Sequence, residues 1–178
     1  MRLFIPIACS MVLATTPALA NEPTGEWRVA NGSANIRIEN CGGALWGVVS
    51  WEKVPGRDNA NPDPALRGRP TLGAPILLGM KPKTQQGWGG TEQRWEGQIY
   101  NAENGKMYDS NIKLLNQNTL RVEGCVLGGI FCGGQEWTRV AQAPAPPQTK
   151  GINPKSAGKG AGASDVCSRV SNLAGRPH

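Results

Sequence analysis

The densest run of chemically capable side chains is "DNANPD" at 58–63, with Asp58, Asn59, Asn61 and Asp63, followed closely by Arg67 and Arg69. Alternating oxygens at Asn59, Asn61 and Asp63 match the opening of a calcium loop. Pro64, however, stands where that loop needs glycine, and Pro70 where it needs a bidentate glutamate. Asp58 and Asp63 are candidates for an acid–base pair, but no neighbour argues for the raised pKa that the acid would need. Asn and Asp before proline also build turns through side-chain-to-backbone hydrogen bonds. Arg67 and Arg69 would then pin the loop by pairing with its carboxylates, or bind an anion. The only histidine is the terminal His178. Its position removes Ser-His-Asp and Cys-His nucleophile pairs and any histidine metal site. No phosphate-cradling glycine loop ending in Lys-Ser/Thr is present. No catalytic residue, metal ligand or cofactor is therefore assigned, and the chain is read as a non-enzyme. The residues retained as candidate ligand contacts are Trp88, Arg67, Arg69 and Asp63.

Cysteine and tryptophan carry the remaining chemistry. Cys125 and Cys132 flank the turn-like "VLGGIF", so they are expected to face each other across neighbouring strands as a disulfide. Cys41 is left either free and buried or as the true partner of one of them, and Cys167 falls in a stretch expected to be unstructured. Six tryptophans are many for this chain. They either pack a core, since each buries a large area, or line a cavity for a flat or greasy ligand. Strict alternation would place Trp46 and Trp51 on opposite faces of one strand.

The ends frame these residues. Arg2, a short apolar run broken by Pro6 and Pro17, and "ALA" at 18–20 read as a secretory signal cleaved after Ala20. The run is too short to span a bilayer. A periplasmic or secreted location is expected, which permits disulfides. Residues 141–178 are rich in Pro, Ala and Gly and are read as a disordered basic tail, with at most one helical turn near "DVCSRVSNLAG". Basicity concentrates there. Residues 21–140 hold 13 Lys and Arg against 12 Asp and Glu, whereas the tail holds five basic residues against Asp165. The tail has no aromatic residue, which argues against a nucleic-acid surface. Weak attraction to anionic envelope components is the partner that its charge would suit.

Between the ends, residues 21–140 form one domain of about 120 residues, enough for a single core. Its hydrophobic period is two. "ANIRIEN" sets Ala34, Ile36 and Ile38 against Asn35, Arg37 and Glu39; "WEGQIY" and "LRVEG" alternate in the same way. Asn31-Gly32 is a strong hairpin signal, and Gly42-Gly43, "NAENG", "NQN" and Gly128-Gly129 mark further turns. Strands are expected near 25–30, 33–40, 44–52, 74–80, 93–100, 106–115, 119–126 and 131–140. Eight short antiparallel neighbours with one apolar face predict an all-β fold: a small up-and-down barrel, or else a sandwich. The polar, proline-rich stretch 53–71 and the glycine-rich stretch 81–93 with Trp88 read as long loops rimming the barrel mouth.

With these pieces assembled, the chain resembles the bacterial domain-of-unknown-function family 2147. The matching segments are "GEW" at 25, "IRIENCGG" at 36, "NPDPALRGRP" at 61, "WEGQIYNAENGKMY" at 95 and "LRVEGCVLGGIFCGGQEWTRV" at 120. Many family members carry a second cysteine shortly after the one matching Cys41, where this chain has Trp46. The resemblance implies a lipocalin-like, or calycin, barrel with no established activity. It also implies that Gly25 and Trp27 open the first strand and that Arg139 of the last strand stacks on that indole to close the base. A small hydrophobic ligand is the implied partner. A barrel filled by tryptophan, acting structurally at the cell envelope, is the alternative.

Overall fold

The computed structural model describes residues 22–87, 90–128, 130–141 and 163–174. The signal-like stretch and most of the tail lie outside them. The described chain forms β1 (Gly25–Arg28), β2 (Ala34–Cys41), β3 (Ala44–Glu52), a short 3-10 turn (Pro64–Leu66), β4 (Pro75–Gly87), β5 (Gly90–Asn101), β6 (Lys106–Asn116), β7 (Thr119–Val126), β8 (Phe131–Arg139) and α1 (Ala163–Ala174). Each strand pairs antiparallel with the next and β8 returns to β1, closing an up-and-down barrel.

Alternation explains which residues fill it. Trp27, Ile36, Ile38, Leu45, Leu77, Met80, Trp95, Ile112, Leu120 and Trp137 form one buried cluster in the interior. Arg139 plugs the base from outside, its guanidinium 4.1 Å from the Trp27 ring centroid. The same guanidinium donates to the Thr24 carbonyl at 2.7 Å. A side chain at Gly25, where φ is +114°, would lie 2.9 Å from Arg139 Nη1. The Gly-x-Trp opening thus leaves room for the arginine that covers its own tryptophan. The Trp27 indole donates to the Pro23 carbonyl at 2.8 Å, so this buried nitrogen is satisfied.

Three features depart from simple alternation. The stretch 81–93 is not a loop, because β4 and β5 pair onward to Gly87–Gly90. Residues 81–86 and 90–93 are exposed on both faces, so no hydrophobic period marks them. Backbone pairing and the cross-strand contact of Lys83 Nζ with Glu96 at 2.7 Å hold the ribbon instead, with Arg94 pairing to the same Glu96 along β5. Pro82 is tolerated because pairing between β3 and β4 runs out at Met80, leaving its edge free. Second, the register between β2 and β3 slips between Asn35 and Ile36. The extra residue reverses the parity of β3, so Trp46 and Trp51 both face outward. Trp51 is 41% exposed, with Arg28 stacked 4.9 Å from its ring centroid.

The third departure corrects the expectation of at most one helical turn near "DVCSRVSNLAG". Residues 163–174 are helical, and α1 lies on the outer face of β2, β3 and β4. Val166 and Val170, one turn apart and each 1% exposed, cover Trp46 and Val48. Cys167, between them, is bonded to Cys41. A twelve-residue helix is marginal alone; burial of this apolar stripe and the covalent anchor supply what propensity lacks. The second disulfide joins Cys125 to Cys132, which stand directly opposite each other on β7 and β8. Among the described residues no helix is long and apolar enough to cross a membrane.

Candidate functional site

Up-and-down connections alternate between the two ends of the barrel. The β1–β2 hairpin, the β3–β4 loop and the β5–β6 and β7–β8 turns therefore share one end. There the interior opens into a cavity of about 1170 Å³, measured out to its mouth. Trp137, Ile36, Val49 and Val122 line it toward the packed core, and Ile99, Tyr108 and Phe131 line it toward the mouth.

Where β7 and β8 line the cavity, one level of the wall, Gly124 beside Gly133, has no side chains. Register places Gly97 beside Ser110, Ser110 beside Gly124, and Gly124 beside Gly133. A Cβ on Gly133 would meet nothing within 4 Å, so this side of the interior is open space. Gly97 is needed for a different reason. A Cβ there would come within 2.6 Å of the Leu78 carbonyl, where a bulge in β4 turns Met80 inward.

The wall is also incomplete beside the mouth. Closure between β1 and β8 consists of two residue pairs, Trp27–Arg139 and Arg28–Thr138. Above them, Gln135 Oε1 accepts from the Ala30 amide at 3.3 Å. Val126, Leu127, Ile130 and Phe131, at the tip of the β7–β8 hairpin, are 43%, 70%, 74% and 63% exposed. The disulfide spans the base of this apolar tip, and Val126, Ile130 and Phe131 also border the cavity.

The β3–β4 loop is held by a buried polar cluster. Asp58 is fully buried and accepts from Tyr100 Oη at 2.6 Å and from Asn61 Nδ2 at 2.7 Å. It also pairs with Arg69 Nη2 at 2.9 Å. Burial alone would raise the Asp58 pKa, but the hydrogen bonds from Tyr100, Asn61 and Arg69 outweigh it and hold the carboxyl below its usual range. Tyr100 is pushed up to about 12 by burial first, then by its hydrogen bond and proximity to the Asp58 carboxylate. Asp58 is therefore an ionised anchor with no proton to give.

The candidate ligand contacts in this loop already have partners within it. Arg69 pins Asp58, while Arg67 donates to the Asn61 carbonyl at 2.8 Å rather than to a carboxylate. Asp63 accepts from the Ala65 amide at 2.9 Å and caps the 3-10 turn. None of the three lines the cavity; Glu52, Gly56, Arg57 and Thr71 from the same connection do. Trp88 lies outside the described residues; β4 and β5, expected to rim the mouth, pair out to Gly87 and Gly90 at the opposite end. Among the described residues no group of three or more His, Cys, Asp or Glu could hold a metal ion. The sequence pattern does not single out Trp137 as a cavity residue. Its inward parity is legible, but the glycine level beside it depends on register between strands.

The profile of a bacterial family described as "Uncharacterized protein conserved in bacteria (DUF2147)" matches residues 25–139, the span from the first residue of β1 to the last of β8. The chain belongs to the DUF2147 family. No curated protein matches it. Among solved structures, the DUF2147 barrel is similar to one titled "Protein HP1028 from the human pathogen Helicobacter pylori belongs to the lipocalin family". The two share 18% identity with a TM-score of 0.57, over 67% of this chain and 84% of that one. At that identity the likeness concerns the fold: a lipocalin-like barrel.

Proposed function

We propose that this DUF2147 protein is an exported binding protein that holds a small apolar or amphipathic molecule, without transforming it, in the mouth half of its barrel. The observation that carries this reading is the cavity of about 1170 Å³, apolar toward the core at Ile36, Val49, Val122 and Trp137 and mixed in polarity toward its mouth, a volume just above the range for drug-sized ligands. The lipocalin-like fold is compatible with that role. Two disulfides suit a periplasmic or secreted location. A barrel filled by tryptophan fits less well, because Trp46 and Trp51 face outward and Trp27 and Trp137 pack only its lower half.

The test is native mass spectrometry of the protein purified gently from its own source, with titration of a neutral apolar naphthylamine dye. A reproducible added mass lost on denaturation, and saturable dye fluorescence at one site per chain, are the expected results. A bare mass with no dye response would sink the binding reading. It would favour an envelope-interaction role, for which the exposed tip at Leu127, Ile130 and Phe131 is the supporting observation. The basic tail, the other candidate for envelope contact, lies mostly outside the described residues.

A further inference from the structure

Among the described residues, two hydrogen-bond donors inside the barrel have no partner: Trp137 Nε1 and Ser110 Oγ. Trp137 is 1% exposed and Ser110 5%, so neither is satisfied by bulk water. An indole nitrogen can only donate, and a buried donor without an acceptor is costly. Trp137 lines the cavity. Ser110 occupies the inward row of β6 between Tyr108, which lines the cavity, and Ile112 of the packed core. Trp27, the buried indole at the base of the same cluster, has a carbonyl partner, so an unpaired indole is not a general feature of this interior.

The charges around the cavity restrict what could satisfy these donors. Among the described residues that line it, Arg57 is the one cation. It sits in the β3–β4 loop at the rim, with Nη1 donating to the Gly68 carbonyl at 2.6 Å. Glu52 and Glu103 line the same end. An anion lowered to Trp137 would be desolvated with no counter-charge beside it. A neutral oxygen would accept from the waiting indole N–H without that cost.

We propose that the ligand enters oxygen-first: an uncharged carbonyl group accepts from the Trp137 indole, and an apolar chain runs back toward Phe131 and the mouth. This rests on the binding reading above and narrows it to neutral carbonyl-bearing apolar molecules such as ketones or esters.

The test uses the disulfide-bonded full-length mature chain and displacement of the same naphthylamine dye. The competitors are a long-chain methyl ketone, the alkane of equal length and the carboxylate of equal length. The ketone is expected to bind about tenfold tighter than the alkane, the scale of one buried donor gaining its partner, and the carboxylate more weakly than the ketone. Trp137→Phe keeps an aromatic ring but removes the N–H, and should abolish the ketone preference, read as the ratio of ketone to alkane affinity within the same variant. Ketone against alkane in the unaltered protein remains decisive should Trp137→Phe fail to fold. In nitrogen-15 spectra, the indole signal lost in Trp137→Phe should shift with ketone and not with alkane. Equal affinity for ketone and alkane, with no indole shift, would overturn the proposal and leave a trapped water as the partner. Tightest binding of the carboxylate would overturn it too. Failure of the dye to bind at all would remove the underlying binding reading, so the two failures are distinguishable.

Discussion

The Tyr100 hydroxyl donates to the Asp58 carboxylate at 2.6 Å, joining the outward row of β5 to the middle of the proline-rich β3–β4 loop. Around this contact, Asp58 N donates to the Arg69 carbonyl at 3.0 Å and Thr71 N to the Gly56 carbonyl at 3.1 Å, so the loop closes on itself. At the next turn, a Cβ on Gly105 would come within 1.8 Å of the Ala60 carbonyl. The loop that rims the cavity is thus a packed element.

Tyr100→Phe should therefore destabilise the protein by about 1–3 kcal/mol, the scale of leaving a buried polar partner unpaired. The loss should be local first. Amide exchange at Asp58 and Thr71 should accelerate more than exchange in β6 and β7. Uniform acceleration would show that the contact does not specifically hold the loop.

The same pair sets two pH limits. Asp58 has a depressed folded pKa, so its contribution is present above its ordinary value of 3.8 and is lost as pH falls through the lower folded value. Tyr100 is raised from 10.0 to about 12, so its contribution is full below 10 and is lost as pH rises toward 12. Urea midpoints measured across pH should fall at both ends. In Tyr100→Phe the alkaline decline should shrink.

Arg139→Lys tests the base of the barrel. Lysine keeps the charge but loses the planar fork that reaches the Thr24 and Gln117 carbonyls and stacks on Trp27. A loss of about 2 kcal/mol is expected from the desolvated cation–π contact and the hydrogen bonds. An unchanged midpoint in chemical denaturation would show that the plug is dispensable.

The two disulfides should differ in weight. Cys41–Cys167 closes a loop with a separation of 126 residues, and Cys125–Cys132 one with a separation of 7. Chain-entropy estimates give about 5 kcal/mol for the first and about 2.5 kcal/mol for the second, as upper values. The Cys41→Ser, Cys167→Ser double variant should therefore lower the Tm more than Cys125→Ser, Cys132→Ser. It should also expose Trp46 to a fluorescence quencher, because α1 loses its anchor. The opposite order of Tm would mean that packing of the β7–β8 hairpin outweighs loop entropy.

Gly97→Ala probes the packing of β5 against the bulge in β4. Its new methyl would press on the Leu78 and Gly79 carbonyls and the Met80 sulfur. Backbone cannot move aside as a flexible side chain can, so a cost of about 1–3 kcal/mol is expected. Gly133→Ala points into open space and should cost much less in the same thermal melts. Equal losses would argue against the bulge geometry in β4.

The eight strands, their order and their antiparallel neighbours were legible in the amino-acid pattern, because a barrel strand with one buried face must alternate and its turns need Gly and Asn. Cys125 with Cys132 was legible too, from the register of one hairpin, whereas Trp27 with Arg139 was implied by the resemblance to calycin barrels. Other features depend on what folding brings together. The 81–93 ribbon has no buried face, so no period announced it. Trp51 turned outward through a bulge whose position depends on the β2–β3 register. Cys41 and Cys167 meet across a separation of 126 residues only because α1 finds the outward Trp46 to cover. Asp58 looks like any loop aspartate until Tyr100 and Arg69 are brought to it. The open side of the cavity is the level of Gly124 and Gly133, which Ser110 and Gly97 continue across β6 and β5. Alternation says that each of these residues faces inward, but only the register says that they stand side by side and leave the space above Trp137 unfilled.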